Sequence, residues 1–361
     1  MQEPGYIRKF FLGANTYKGF HSFYEYVVPG TPNKLFILKG GPGTGKSTFL
    51  RKVANEFAKM GYDVEIHHCS SDNDSLDGVR IVQLNVAIMD GTAPHTTDPK
   101  YPAAVDEIIN LGEYWNKEKI EKNRETIISY NKELKKLYAS SYRFLRAAKE
   151  VQDDLETLIG DQYDWVGFNN TLLEYKSTVL DPVKPLNKLG KPRHLFHSSI
   201  NSAGRVDYIE DALLKECRCH YIKTQYCTAA TEFLKALSSD LLMKGYDVEI
   251  FHKPLDPNII ETIMVNELSL AISNDQKLVK KADRIIDLEK HRDINSTEKY
   301  HSSIINTYKI FENLLDEAIK RIQEAKKLHD NLEKFYAQNM DFERIAKLRS
   351  NTIERIKKMI K

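Results

Sequence analysis

The sequence predicts an α/β protein built twice, as two duplicated domains with parallel sheets, each carrying long antiparallel helical insertions or extensions. Three observations predict it: the chain repeats itself; each repeat alternates short apolar runs with helix-period segments; and each repeat ends in long charged stretches with apolar residues at three- and four-residue spacing.

The repeat is legible by eye. Gly61-Tyr-Asp-Val-Glu-Ile66 recurs as Gly245-Tyr-Asp-Val-Glu-Ile250, and the same offset of 184 residues holds without a gap from Tyr24/Tyr208 to Ala87/Ala271. Further on the offset becomes 177, where Asp106-Glu-Ile-Ile-Asn-Leu111 matches Asp283-Arg-Ile-Ile-Asp-Leu288 and Ala148-Lys149 matches Ala325-Lys326. A chain of 361 residues has room for two domains. The break falls in Leu180–Arg193, where three prolines and a glycine forbid a continuous helix. The expected division is therefore 1–182, a linker 183–192, and 193–361.

In the first repeat the pattern gives a strand at Leu35–Leu38, a helix at Ser47–Met60 and a strand at Val64–His68. An uncertain stretch around 74–84 then stands where the alternation calls for a second helix, followed by a strand at Asn85–Met89 and long charged helices over Ala103–Leu158. Such alternation argues for a parallel sheet with helices on both faces. The segments Glu118–Leu155 and Lys299–Phe335 suit antiparallel helical hairpins.

Gly40-Gly41-Pro42-Gly43-Thr44-Gly45-Lys46-Ser47 fits G-x-x-x-x-G-K-[ST] in full, between an apolar strand and a helix whose Phe49, Leu50, Val53 and Phe57 repeat at helical spacing. Each residue type has a reason. Glycines permit positive φ, so successive backbone N–H groups can close around a phosphate, and the positive end of the following helix adds to that field. Lys46 should reach the β- and γ-phosphate oxygens. The Ser47 hydroxyl should take one Mg²⁺ position, with Thr48 completing the loop. A metal carboxylate is expected at the end of a neighbouring strand, and Val86-Ala-Ile-Met-Asp90 supplies Asp90; a strand-ending Asp serving only a turn is the alternative. The expectation is a P-loop NTPase-like domain holding one nucleoside triphosphate, ATP, with Mg²⁺, and with Lys46 and Asp90 as catalytic residues.

The second repeat is an internal control. Lys223-Thr-Gln-Tyr-Cys-Thr-Ala-Ala-Thr-Glu232 stands opposite Lys39–Thr48: every loop glycine is gone, Ala230 replaces Lys46, Glu232 adds a negative charge, and Asn274 replaces Asp90. Loss of all three features together is what one site per chain predicts. Gly91-Thr-Ala-Pro-His95 has no counterpart, so His95 is a candidate contact to substrate or phosphate, a plain loop histidine being the alternative. His67-His68-Cys69 resembles a metal cluster, but adjacent residues on a strand point to opposite faces, and His68 persists as His252 in the repeat without the loop. A structural role is expected there.

Composition excludes several classes. With a net charge of +2 and 29% charged residues, the chain is no generic polyanion binder, and nucleic acid is not an expected partner. The four cysteines form no disulfide framework, and no apolar run approaches the roughly 18 residues that span a bilayer. A cytoplasmic protein with no membrane partner is expected.

The segments Phe36–Thr48, Glu65–Asp72, Asp74–Gly78, Ala87–His95 and Ile108–Trp115 together resemble a family of tandem P-loop proteins of spore-forming Firmicutes, generally labelled ATPase or nucleotide-kinase-like. The resemblance covers essentially the whole chain and implies ATP binding and a P-loop fold; it brings no defined substrate. Family members often carry a recognisable phosphate loop in the second half, and this chain departs there. Because Asp90 is followed by Gly91 and not by a water-polarising Glu, a kinase-like phosphotransferase acting on a small-molecule acceptor, or a slow ATPase, is expected, with Arg143 and Arg146 as candidates for a phosphate lid. The alternative is an ATP-controlled switch or scaffold acting through the second half on a protein partner.

Overall fold

The computed structural model describes residues 3–360, except for the side chains of 294–300. The first repeat runs β1 (Ile7–Phe11), β2 (Gly13–Thr16), β3 (Gly19–Ser22), β4 (Lys34–Lys39), α1 (Lys46–Lys59), β5 (Val64–His68), β6 (Leu76–Ile81), β7 (Val86–Asp90), β8 (Asp106–Asn110), α2 (Lys117–Glu121), α3 (Arg124–Gly160) and α4 (Trp165–Tyr175). The second runs β9 (Pro192–Leu195), β10 (Ser198–Asn201), β11 (Gly204–Asp207), α5 (Ile209–Ala212), β12 (Arg218–Lys223), α6 (Cys227–Met243), β13 (Val248–His252), β14 (Ile260–Val265), β15 (Leu270–Ser273), β16 (Arg284–Asp287), α7 (Ile294–Ala337) and α8 (Phe342–Lys357).

The larger strands form two six-stranded sheets of identical order, β1-β5-β6-β7-β4-β8 and β9-β13-β14-β15-β12-β16. Both are mixed, which corrects the parallel sheets expected from the pattern. β6 runs antiparallel to β5 and β7, and β14 antiparallel to β13 and β15, while the remaining pairs are parallel. The stretch 74–84 is thus no helix: Leu76, Val79 and Ile81 are buried strand residues. The expected helical run from Ala103 also opens with a strand, β8, at the sheet edge beside β4.

Helices cover one face of each sheet and not both. Phe49, Leu50, Val53 and Phe57 of α1 pack on Phe36, Leu38, Val79 and Ile88, and Phe233, Leu234 and Leu237 of α6 share a core with Ile222, Ile250 and Ile272. The opposite faces are apolar as well and meet each other: Phe10, Ala87 and Met89 of the first sheet share a cluster with Phe251, Met264 and Ala271 of the second. Burying both faces of a short strand demands a second apolar layer, and the sister sheet supplies it.

The repeats also exchange their tails. Phe168 and Tyr175 of α4 pack in the core of the second sheet, while Ile345 and Ile356 of α8 pack in the core of the first. The linker 183–192 therefore separates the sequence repeats, but the packing crosses it. The antiparallel pairing of long helices is likewise made between repeats and not within one. Ile127 and Leu134 of α3 meet Leu332 and Ala325 of α7, Leu145 and Ala148 meet Leu315–Ile322, and at the midpoint Ser141 Oγ donates to the Ala318 carbonyl at 3.0 Å. Ser141 and Ala318 are equivalent under the 177-residue offset, so this contact lies on a pseudo-two-fold axis.

That axis also runs through a buried ion cluster. Strand register sets Arg8 opposite Glu65 and Arg193 opposite Glu249, and each arginine bridges to the other sheet. Arg8 Nη2 donates to Glu249 Oε2 at 2.6 Å, and Arg193 Nη2 to Glu65 Oε2 at 2.7 Å. Phe11 and Phe196 exchange backbone hydrogen bonds beside it, at 2.8 and 3.1 Å.

Acid should weaken this core before carboxylates titrate. Burial pushes His67 and His220 down to about 4 and His252 to about 3, so all three are neutral in the fold. In the unfolded chain they titrate near ~6.5, so below that pH the unfolded state binds more protons. Their contribution is complete above about pH 6.5 and is lost as pH falls toward about 4. His197 works the other way: burial opposes its charge, but the hydrogen bond to Asp207 and the charge of Glu261 outweigh that and raise it. The expected net result is a urea midpoint that falls between pH 7 and 5; a flat profile would contradict neutral burial of the three.

Candidate phosphate-binding site

The loop expected to bind phosphate joins β4 to the 14-residue helix α1. Gly43 (φ 68°) and Gly45 (φ 84°) are left-handed, a conformation that favours glycine, and they turn the chain so that it enters α1 at Lys46. The carbonyls of the loop are taken up internally. Lys46 Nζ donates to the Gly40 and Gly41 carbonyls at 2.8 and 2.9 Å, Thr44 Oγ1 to Gly41 at 2.9 Å, and Thr92 Oγ1 to Gly40 at 3.0 Å. Among the described residues no acceptor is paired with the N–H groups of Gly43, Gly45 and Lys46. Together with the start of α1, they leave a row of donors whose partial positive charge suits an anion.

Asp90 ends β7 opposite Leu38 of β4, which brings its Oδ2 to 3.6 Å from Lys46 Nζ. Its Oδ1 accepts from the Thr92 N–H at 2.8 Å. Burial raises this carboxyl above its ordinary range, Lys46 opposes the rise, and Asp77 adds to it. Asp77 is the site residue that pattern reading missed. Antiparallel pairing of Gly78 with Met89 sets it beside Asp90, and the Tyr24 hydroxyl donates to its Oδ2 at 2.5 Å. Tyr24 also stacks on His95, with centroids 4.7 Å apart and planes at 15°. His95 is buried, 3.8 Å from Asp77, and its Nδ1 has no hydrogen-bond partner among the described residues. One ligand atom from each of Asp77, Asp90 and His95 lies within 4.8 Å of the others. Two carboxylates beside an imidazole can hold a divalent cation. Ser47 reaches the same strand from the loop, its Oγ accepting the Leu76 N–H at 3.1 Å.

The structure thus brings Gly40–Ser47, Lys46, Asp90 and His95 to one place. Thr48 is exposed as the third residue of α1. His67 and His68 stay apart: His67 lies buried near Glu65, and His68 Nδ1 meets the Asn73 carbonyl at 2.8 Å. Arg143 and Arg146 are exposed on the middle of α3, against the part of α7 that carries Leu315–Ile322.

The second repeat contributes to the surroundings of the loop. A methyl group added at Gly41 would touch Trp115 and Tyr336 at 3.4 and 3.6 Å; at Gly43, the Glu333 carbonyl oxygen at 2.7 Å; at Gly45, Phe342 at 3.4 Å. The corner between α7 and α8 is tied down by Asn116 N–H donating to the Asn339 carbonyl at 2.7 Å and Asp341 N–H to Tyr114 at 2.8 Å. The corner between α3 and α4 docks on the other repeat in the same way, Asp164 N–H donating to the His291 carbonyl at 2.7 Å. There the loop is degenerate, and the negative charge at its helix comes from Glu156 of α3: its carboxylate accepts from the N–H groups of Cys227 and Thr228 at 3.2 and 2.9 Å. Glu232, expected to supply that charge, is exposed and pairs with Lys235.

No protein-family model matches this chain, and comparisons with curated proteins and with solved structures return no match.

Proposed function

We propose that this chain binds one nucleoside triphosphate together with a divalent cation in its first repeat, ATP and Mg²⁺ being the expected pair, in a tandem arrangement of P-loop NTPase-like domains. The observation that carries this reading is the row of N–H groups at Gly43, Gly45 and Lys46, beside the Lys46 ammonium and the Asp90 carboxylate. A triphosphate would satisfy the donors, and Lys46 would exchange the Gly40 and Gly41 carbonyls for phosphate oxygens. Asp90 and Asp77 are the carboxylates that would hold the cation, and the Ser47 oxygen retains a second lone pair toward it. When bound, Mg²⁺ supplies charge neutralisation and orientation of the phosphates.

The kinase-like form of the reaction is favoured by Gly91. A Cβ at this position would lie 2.4 Å from Ile37 Cγ2, so a Glu beside Asp90 would displace the buried Ile37 side chain. A switch or scaffold is the second reading, favoured by the corner of the second repeat lying on the loop. Calorimetric titration with Mg-ATP and Mg-GTP, followed by ADP release with a panel of acceptors, tests both. One equivalent bound per chain and acceptor-dependent ADP release support a phosphotransferase; tight binding with little turnover supports the switch. No binding of either nucleotide overturns the whole reading.

A further inference from the structure

The two loops differ in what the long helix of the other repeat places over them. In the second half, Glu156 sits at the N-terminus of α6 as an anion would, held by Cys227 N–H at 3.2 Å and by the Thr228 N–H and hydroxyl at 2.9 and 2.8 Å. The 184-residue offset carries Cys227 and Thr228 onto Gly43 and Thr44, and the 177-residue offset carries Glu156 onto Glu333. In the intact half the Glu333 backbone reaches the equivalent loop, since a methyl group at Gly43 would meet the Glu333 carbonyl at 2.7 Å and the Ala337 nitrogen at 3.3 Å. The Glu333 side chain points elsewhere: it is half-buried, with Oε1 3.7 Å from His329 Nδ1.

We propose that Glu333 is an internal competitor for the nucleotide, its carboxylate exchanging between the position beside His329 and a seat on the N–H groups of Gly43 and Thr44 that Glu156 shows occupied in the other half. This rests on the nucleotide reading above and adds a regulatory residue to it, contributed by the second repeat. Phosphate and carboxylate are alternative anions for the same donors, so binding of one excludes the other. The Glu156 side has become permanent because Ala230 stands in place of Lys46 and the loop glycines are gone, so the carboxylate keeps the seat there. The Glu333 side stays exchangeable because its helix end reaches the loop while Lys46 favours phosphate.

A competitor seated for roughly 70–90% of the time weakens apparent nucleotide affinity about 3- to 10-fold, since only the open fraction binds. Glu333→Gln should therefore bind Mg-ATP about 3- to 10-fold more tightly than the wild type. Glu333→Asp, one methylene too short for the seat, should behave in the same way, and Glu156→Gln should leave the affinity unchanged. In the nucleotide-free protein, amide hydrogen exchange of the 40–45 loop should quicken in Glu333→Gln, a readout that mere charge repulsion across solvent does not move.

Tighter binding with faster loop exchange supports the competitor. Wild-type binding with an unchanged or weakened Glu333→Gln overturns it and leaves the nucleotide site standing. Binding by Glu333→Gln alone supports it in its strongest form. Binding by neither overturns both.

Discussion

Glu65→Gln is expected to destabilise the protein by about 3–5 kcal/mol, the range found when one member of a buried ion pair is removed. Glu65 is enclosed by three guanidinium groups: Arg193 donates to both its oxygens at 2.9 and 2.7 Å, Arg80 at 3.1 Å and Arg8 at 3.3 Å. Burial alone would raise its pKa, but Arg193 and Arg80 hold it well below the usual carboxylate range. With Gln in its place, Arg8 and Arg193 keep Glu249 as their carboxylate partner, and Arg80 loses the carboxylate it donates to. His67, 3.9 Å from Glu65, adds no further positive charge because burial keeps it neutral. The pseudo-symmetry supplies a control. Glu249 accepts from Arg8 and Arg193 but has no counterpart of Arg80, so Glu249→Gln should cost less than Glu65→Gln. Urea unfolding of the two variants at pH 7.5 measures the difference; equal losses under 1 kcal/mol would show that the cluster is solvated. If unfolding proceeds in two steps, the first should be the one that shifts, because the cluster joins the halves.

Some of this architecture was legible in the sequence, and the reasons for the rest are physical. The strand, loop and helix around Gly40–Ser47 were legible because four apolar residues, a glycine run and a helical stripe follow each other without interruption. Asp90 was legible because a strand that reads Val-Ala-Ile-Met has one polar residue at its end. Strand β6 was not, because Leu-Asp-Gly-Val-Arg-Ile carries a buried Asp and a glycine that pattern reading assigns to turns. Asp77 is tolerated there because Tyr24, 53 residues away, donates to it, a contact with no local signature. Strand β8 was hidden by its edge position, where Ile108 is 47% exposed and the flanking residues are charged. The exchange of α4 and α8 between halves was also out of reach. An amphipathic stripe states that a helix has a core-facing side, and it does not state which core. For the same reason the long helices could be recognised as antiparallel partners while the partner was misplaced within one repeat.

Lys46→Ala and Asp90→Asn are expected to separate the two halves of the proposed site. The Lys46 ammonium donates to the loop carbonyls, and charge-assisted hydrogen bonds contribute about 1.5–3 kcal/mol each. Two such bonds to phosphate amount to roughly 3–6 kcal/mol, of which the bonds given up to Gly40 and Gly41 offset a large part, so Lys46→Ala should weaken ATP binding on the order of 10- to 10²-fold with or without Mg²⁺. Asp90→Asn removes a negative charge 3.6 Å from that ammonium and keeps the oxygen that accepts from Thr92. The chain already accommodates Asn274 at the equivalent place in the second repeat, so the fold should survive. Binding measured in chelator should therefore be equal to wild type or slightly tighter, because one like charge near the phosphates is gone. The gain in affinity on adding Mg²⁺ should disappear. Asp77→Asn should reduce that gain without abolishing it, since Asp77 stands one strand further from Lys46 and is held by Tyr24. Fluorescence titration of the three variants, each with Mg²⁺ and with chelator, decides the matter. If Asp90→Asn keeps the full Mg²⁺ effect, the carboxylate serves only the turn to Thr92 and the cation is held elsewhere. If Lys46→Ala binds ATP as the wild type does, the loop is a glycine turn and the nucleotide reading falls.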